Sequence, residues 1–250
     1  MHRIFFQIGN FPVYTYAVFV VLGFTTGLLV AAWLAGKEKI PSDTVIELAI
    51  FILIGGILGA RLVYVLVKLP DYLSAPLDIL NLRKGGLSWH GALLGGLFLA
   101  YLFAKSRKLS LKKICDILSA PAVLGLAIGR IGCLLNGCCY GKISTVKWAV
   151  DLSAAGVIGK RHPTQIYEMI LNIAVFLLIL FWLPRKKFDG EVFLGMLSLY
   201  SAVRFFVEFF REEPLLWFGL TLAQFVSIAV IIICGWIIYA GRRRALKTNY

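Results

Sequence analysis

Seven long apolar runs, separated by connections rich in lysine and arginine, most constrain what this chain can fold into. They lie at about Val13–Leu34, Val45–Val67, Gly91–Ala104, Ile114–Leu135, Gln165–Pro184, Val192–Phe210 and Thr221–Ala240. Backbone N–H and C=O groups placed in hydrocarbon have no water to bond, so runs of this kind close them internally as helices. The expected fold is all-α: a polytopic membrane protein with about seven transmembrane helices, forming one domain over residues 1–250. Composition agrees, since 60% hydrophobic residues and a mean hydropathy of +0.84 leave too little polar surface for a soluble domain of this length. The first run is not expected to be a cleaved leader, because it is long and Ala32-Trp-Leu-Ala35 lacks a small-x-small cleavage pattern.

A net charge of +13 would suit a nucleic acid if one solvated face carried it. Here the cations fall mostly between apolar runs, so no nucleic-acid partner is expected. Fourteen lysines and arginines lie on the side of the first, third and fifth connections and the C-terminus, against nine on the other side, which includes Arg83 and Lys84. The positive-inside rule then predicts an outward N-terminus and an inward C-terminus. The remaining three, Arg61, Arg130 and Arg204, fall within runs. Intramembrane charges are expensive, and they mark functional sites by default.

The densest chemistry is in Gly129-Arg-Ile-Gly-Cys-Leu-Leu-Asn-Gly-Cys-Cys-Tyr-Gly141, where an apolar run ends in Arg130, Cys133, Asn136, Cys138 and Cys139. Arg130, Cys133 and Asn136–Gly137 share one helical face by spacing. Upstream, Phe11-Pro-Val-Tyr-Thr-Tyr16 is expected to open the first helix, with Tyr14 and Tyr16 as interfacial anchors. Gly55-Gly-Ile-Leu-Gly-Ala-Arg61 has small residues at a spacing that permits close helix contact, followed by a charge able to snorkel. His90 sits among glycines at the predicted start of a helix, where backbone or a ligand can approach closely. Arg161-His-Pro-Thr-Gln165-Ile-Tyr-Glu168 predicts a helix start with Thr164 as N-cap and Glu168 in the first turn. Tyr200, Arg204, Glu208 and Arg211 are spaced four, four and three, which keeps them on one stripe. The last run adds Gln224. With seven spans and the N-terminus outside, all these residues fall in the outer half. A cavity lined there by arginines, a histidine and tyrosines suits an anionic phosphate or phospholipid.

The ordered series Tyr16, Gly59-Ala-Arg61, Gly86-Leu-Ser-Trp-His90-Gly, Gly129-Arg130-Ile-Gly132, Asn136-Gly137, Gly141, Arg161 to Glu168 and Tyr200 to Arg211 resembles the prolipoprotein diacylglyceryl transferase family. The resemblance runs from about Val13 to Gln224. It implies a bacterial cytoplasmic-membrane enzyme, with its active site toward the outer side. Such an enzyme moves a diacylglyceryl group from phosphatidylglycerol to the lipobox cysteine thiol of a prolipoprotein. It also implies that Arg130 and Arg204 hold the phosphate, with His90, Tyr16 and Tyr200 lining the reaction centre. Arg61, Asn136, Gly141, Gln165, Glu168, Glu208 and Arg211 complete the expected binding set. Membrane lipids are the other expected partners.

This chain departs from the family pattern Gly-Arg-x-Gly-Asn-Phe-x-Asn-x-Glu at three positions, with Cys133, Leu134 and Cys138 in place of Asn, Phe and Glu. Four readings of Cys133, Cys138 and Cys139 stay open: apolar packing; a disulfide from Cys133 to Cys138 or Cys139; a thiolate acting as base or nucleophile beside Arg130; and a metal site with His90 or His162. Cys-x4-Cys-Cys partly inside a helix is a poor zinc pattern, so neither a metal nor another cofactor is expected. Two rival functions remain: a phospholipid-dependent transferase with another acceptor, and a transporter of anionic lipids or solutes. A transporter needs polar residues in the inner half too, where Asp116 is the main one.

Overall fold

The computed structural model describes residues 3–9, 11–73, 75–81 and 85–248; Arg83 and Lys84, counted above as outer charges, lie outside the described residues. The chain begins with an antiparallel hairpin of β1 (Ile4–Ile8) and β2 (Phe11–Tyr14), in which Gln7 pairs with Pro12. Phe11–Tyr14 is therefore a strand and not the opening of the first helix. Proline lacks the ladder donor that a central strand needs and is tolerated at the edge of a two-stranded ribbon. The helix starts only at Thr15, whose amide donates to the Arg3 carbonyl at 2.9 Å.

Among the described residues, seven helices have 18 or more residues: α1 (Thr15–Lys37), α2 (Ser42–Val67), α4 (Trp89–Ser106), α5 (Leu111–Asn136), α6 (Thr164–Trp182), α7 (Glu191–Glu208) and α8 (Leu222–Thr248). A short α3 (Leu69–Leu73) follows α2. Five of the seven, α1, α2, α5, α6 and α8, are long and apolar enough to cross a membrane. In α7 the charges Glu191, Arg204 and Glu208 interrupt the hydropathy, and in α4 His90, Lys105 and three glycines do so. The molecule is an all-α, multi-pass membrane protein, with two small two-stranded ribbons among the described residues.

The chain divides into two compact units, Ala32–Ile114 and the rest. In the smaller unit α2 and α4 pack backbone to backbone. A Cβ on Gly59 would lie 2.3 Å from the Gly91 carbonyl oxygen, and one on Gly95 would lie 2.1 Å from that of Gly55. The Gly-xxx-Gly spacing thus occurs on both helices and removes the side chains that would hold them apart. Beyond this seam Arg61 is buried. Its guanidinium donates to the carbonyls of Ile79 (2.8 Å), Asp78 (2.5 Å), Asn81 (3.3 Å), Gly85 (2.7 Å) and Gly86 (3.0 Å). It does not snorkel to solvent; it ties the α2–α4 connection to the end of α2.

In the larger unit α1 approaches α5 where Gly23 meets Gly125, since a Cβ on Gly23 would come 2.9 Å from the Gly125 oxygen. Two buried acids organise the connection before α7. Asp116 of α5 accepts the amides of Gly190 (2.8 Å) and Phe193 (2.9 Å), and pairs with Lys186 at 3.3 Å. Glu191 accepts from Trp182 Nε1 (3.1 Å), the Lys187 amide (2.6 Å) and Arg242 (2.5 Å). Helix N-terminal amides lack intrahelical acceptors, and carboxylates are the groups that satisfy them best.

Candidate active site

The C-terminal ends of α5 and α7 and the start of α6 carry the larger unit's polar cluster. Arg130, Glu168, Arg204, Glu208 and Arg211 form an alternating chain of charges across these elements. Arg130 Nη2 pairs with Glu168 Oε2, whose other oxygen lies 3.4 Å from Arg204 Nη1. Arg204 Nη2 pairs with Glu208 Oε2 at 2.9 Å, and Arg211 Nε lies 3.7 Å from that same oxygen. Three cations share two anions. The carboxylates are 2% exposed, while the side chains of Arg130, Arg204 and Arg211 are 18%, 24% and 15% exposed. The acids are therefore locked inside, while the arginine side chains are partly exposed. With five donors each, these arginines keep N–H groups for an added anion.

Further side chains fix this chain of charges. Thr221 donates its hydroxyl to Glu208 Oε1 at 2.9 Å, and the Thr221 amide donates to Gln224 Oε1 at 3.0 Å. Gln224 thus acts through Thr221, a residue that no motif in the sequence singles out. Arg211 also pairs with Glu213 at 3.2 Å and donates to the Cys139 carbonyl at 3.3 Å. Arg161 pairs with Glu212 at 2.5 Å, and His162, Tyr167 and Phe210 stack edge to face with centroids 5.1–6.1 Å apart.

Helix α5 ends in a Schellman turn. The Cys138 amide donates to the Cys133 carbonyl and the Gly137 amide to that of Leu134, both at 3.1 Å, with Gly137 at φ +74°. This geometry brings the fourth-last residue of α5 beside the second residue after the helix, here Cys133 and Cys138. Cys139, itself in the left-handed region at φ +61°, turns back on both. The three sulfur atoms lie within 4.8 Å of one another, and all three cysteines are free thiols. Asn136-Gly137 at the end of an apolar run is the sequence signal for this turn, although its consequence for the thiols comes from three dimensions. Carbonyls of the turn are pinned from α6: Gln165 Nε2 donates to Cys138 at 2.6 Å and the Thr164 hydroxyl to Cys139 at 2.7 Å. Thr164 is therefore not the N-cap; Pro163 holds that position, and the Thr164 hydroxyl reaches across to the cysteine turn. The Cys139 thiol is held well below its ordinary range. A hydrogen bond from Cys133 is the main cause; burial opposes it, and the positive charges of Arg130 and Arg211 assist.

Gly141 closes the loop against Phe210, whose carbonyl oxygen would lie 2.3 Å from a Cβ there, while its amide donates to the His162 carbonyl at 2.9 Å. Tyr16 stands in the first turn of α1, close to α5: a Cβ on Gly132 would lie 3.4 Å from the Tyr16 Cα. Asn136 is the last residue of α5 and Tyr200 lies one turn before Arg204 on α7, both half-buried. Every expected site residue except Arg61 and His90 falls in the larger unit. These two belong to the smaller unit, where His90 is exposed in the first turn of α4.

Residues 3–240 match the family model described as prolipoprotein diacylglyceryl transferase. The phosphatidylglycerol–prolipoprotein diacylglyceryl transferase of Finegoldia magna is 35% identical over 234 residues, which cover 93% of this chain and 92% of that protein. The proteins of the same name from Bacillus cereus and Clostridioides difficile are 36% and 31% identical, over 93% of this chain and 89% and 92% of their own lengths. A match of this extent, on a helical membrane framework carrying this arginine and glutamate cluster, places the chain in the prolipoprotein diacylglyceryl transferase family.

Proposed function

We propose that this protein transfers a diacylglyceryl group from phosphatidylglycerol to the lipobox cysteine thiol of a prolipoprotein, forming a thioether. The observation that carries the reading is the chain of three partly exposed arginines on two buried glutamates, which offers directed donors to a phosphodiester and to the charge that grows as it leaves. Arg130 and Arg204 are assigned to the phosphate. The acceptor sulfur attacks the glyceryl carbon that bears the phosphate ester; the carbon–oxygen bond breaks and glycerol phosphate departs with the electron pair. A thiol with a pKa of about 8.5 is mostly protonated near neutrality, so a base must assist. His90 is assigned that role on its sequence motif, with Tyr16 and Tyr200 as orienting groups.

Seven spans, an outward N-terminus and an active site at the outer face of the bacterial cytoplasmic membrane belong to the same proposal. Their support is the surplus of lysine and arginine in the alternate connections. The test is Arg130→Ala, assayed with phosphatidylglycerol vesicles and a lipobox peptide. Transfer is expected to vanish while the variant stays folded in the membrane; full activity would reject the assignment.

A further inference from the structure

The three thiols of the Schellman turn stand within 4.8 Å of one another at the end of the helix that carries Arg130. In a tetrahedral zinc trithiolate, with Zn–S bonds of about 2.3 Å, neighbouring sulfurs are about 3.8 Å apart. The cluster is therefore within about 1 Å of that geometry, a difference that side-chain rotation can close. Spacing along the chain argues against a metal, because Cys-x4-Cys-Cys runs from inside a helix to outside it. The turn overrides that objection by folding Cys138 back onto Cys133. Its frame is also stiff: Gln165, Thr164 and Arg211 hold the Cys138 and Cys139 carbonyls, so the ligand-bearing backbone is set before any ion arrives. Three soft sulfur ligands select zinc among the common divalent ions, and protein zinc sites with three ligands keep a fourth position for substrate.

We propose that Cys133, Cys138 and Cys139 form a zinc site whose fourth position takes the acceptor thiol of the transfer reaction. The proposal rests on the reading of the protein as a thiol-alkylating transferase. A metal-bound thiol is deprotonated outright, which answers the need for a thiolate near neutrality. Three thiolates and a divalent ion carry a net negative charge, and the substrate thiolate adds to it. Arg130, one helical turn before Cys133, and Arg211, donating to the Cys139 carbonyl, are the cations beside it. The same turn of α5 therefore places the phosphate-binding guanidinium close to the sulfur site, so that both reactants are held near one another. In the step itself the acceptor thiol loses its proton to solvent or to the base as it binds zinc. Its sulfur then forms the bond to the glyceryl carbon, glycerol phosphate leaves with the carbon–oxygen electrons, and the neutral thioether dissociates from the ion. No electron is exchanged with the metal.

The test uses the full chain in lipid nanodiscs, purified without chelator. We expect one zinc per chain by elemental mass spectrometry, retained in Cys115→Ser and lost in Cys133→Ser, Cys138→Ser and Cys139→Ser. Retention of helical circular dichroism in the last three separates ligand loss from misfolding. With cobalt in place of zinc, thiolate charge-transfer bands should appear and should shift when a lipobox peptide is added, but not with its Cys→Ser analogue. Three results would each overturn the inference: no metal uptake by the reduced protein, a disulfide among the three with no metal site after reduction, or cobalt bands indifferent to the peptide thiol. Thioether formation by the metal-free triple serine variant would overturn it too, while leaving the transferase reading intact. Metal and thiol binding without any product from phosphatidylglycerol would sink the transferase reading, and with it the catalytic role of the fourth position.

Discussion

Arg130 and Glu168 form an ion pair between α5 and α6, and the carboxylate, 2% exposed, is shared with Arg204. Removing one partner of a buried pair is costly because it leaves uncompensated charge behind. Glu168→Gln keeps the shape and deletes the anion that both guanidinium groups share. We expect a loss of about 3 kcal/mol, the lower end of the range for buried pairs, since both arginines retain some solvent. The melting temperature in detergent should fall, and phosphatidylglycerol should raise it more in the variant than in the parent, because a phosphodiester can replace the missing anion. An equal lipid response in the two proteins would show that the arginines do not receive the phosphate.

The glycine seam predicts a sharp positional contrast. A methyl group at Gly59 or Gly95 would meet backbone oxygen at 2.1–2.3 Å, so α2 and α4 must separate to admit it. Gly95→Ala should cost at least the roughly 1–3 kcal/mol typical of overpacking. Gly235→Ala in α8 meets nothing within 4 Å, and should be neutral or gain up to about 1 kcal/mol from helix propensity. Thermal unfolding followed by circular dichroism compares them. Similar melting points for both variants would contradict the backbone-to-backbone packing of α2 on α4.

The long helices were legible because hydrophobicity and length alone specify them, and the Gly-xxx-Gly spacing was legible because it lies within single helices. Charge pairing along a helical stripe was equally readable: Arg204 and Glu208 pair at i,i+4 as their spacing requires. What escaped depends on tertiary contact. Phe11-Pro-Val-Tyr14 is apolar enough to extend a helix, and only its pairing with Ile4–Ile8 makes it a strand. Thr164 has the residue type of an N-cap, yet its hydroxyl finds a better acceptor on the Cys139 carbonyl. Arg61, charged and near a helix end, suggested snorkelling, while five carbonyls from the connection after α2 claim its donors instead.

The Arg61 network makes a prediction of its own. Arg61→Lys keeps the charge but loses the planar fork that serves five acceptors at once. We expect the connection from α2 to α4 to be cut by protease several-fold faster in Arg61→Lys than in the parent, and faster still in Arg61→Ala. Mass spectrometry of the fragments should place the new cleavage between residues 68 and 88. Unchanged protection in both variants would mean that other contacts hold the connection.

Asp116 separates a structural from a transport role for a buried acid. It accepts the Gly190 and Phe193 amides at the start of α7, and it pairs with Lys186 at 3.3 Å. Asp116→Ala would leave buried donors unsatisfied and should cost about 3 kcal/mol, whereas Asp116→Asn retains one acceptor oxygen and should cost about half as much. Because these bonds serve α7 and lie apart from the arginines of the candidate site, transfer per folded molecule should stay within about two-fold of the parent in Asp116→Asn, measured below its melting temperature. A protein that moved anionic solutes past Asp116 would behave differently: flux into proteoliposomes would change sharply in Asp116→Asn with stability nearly intact, and that result would overturn the assignment of this carboxylate to helix capping.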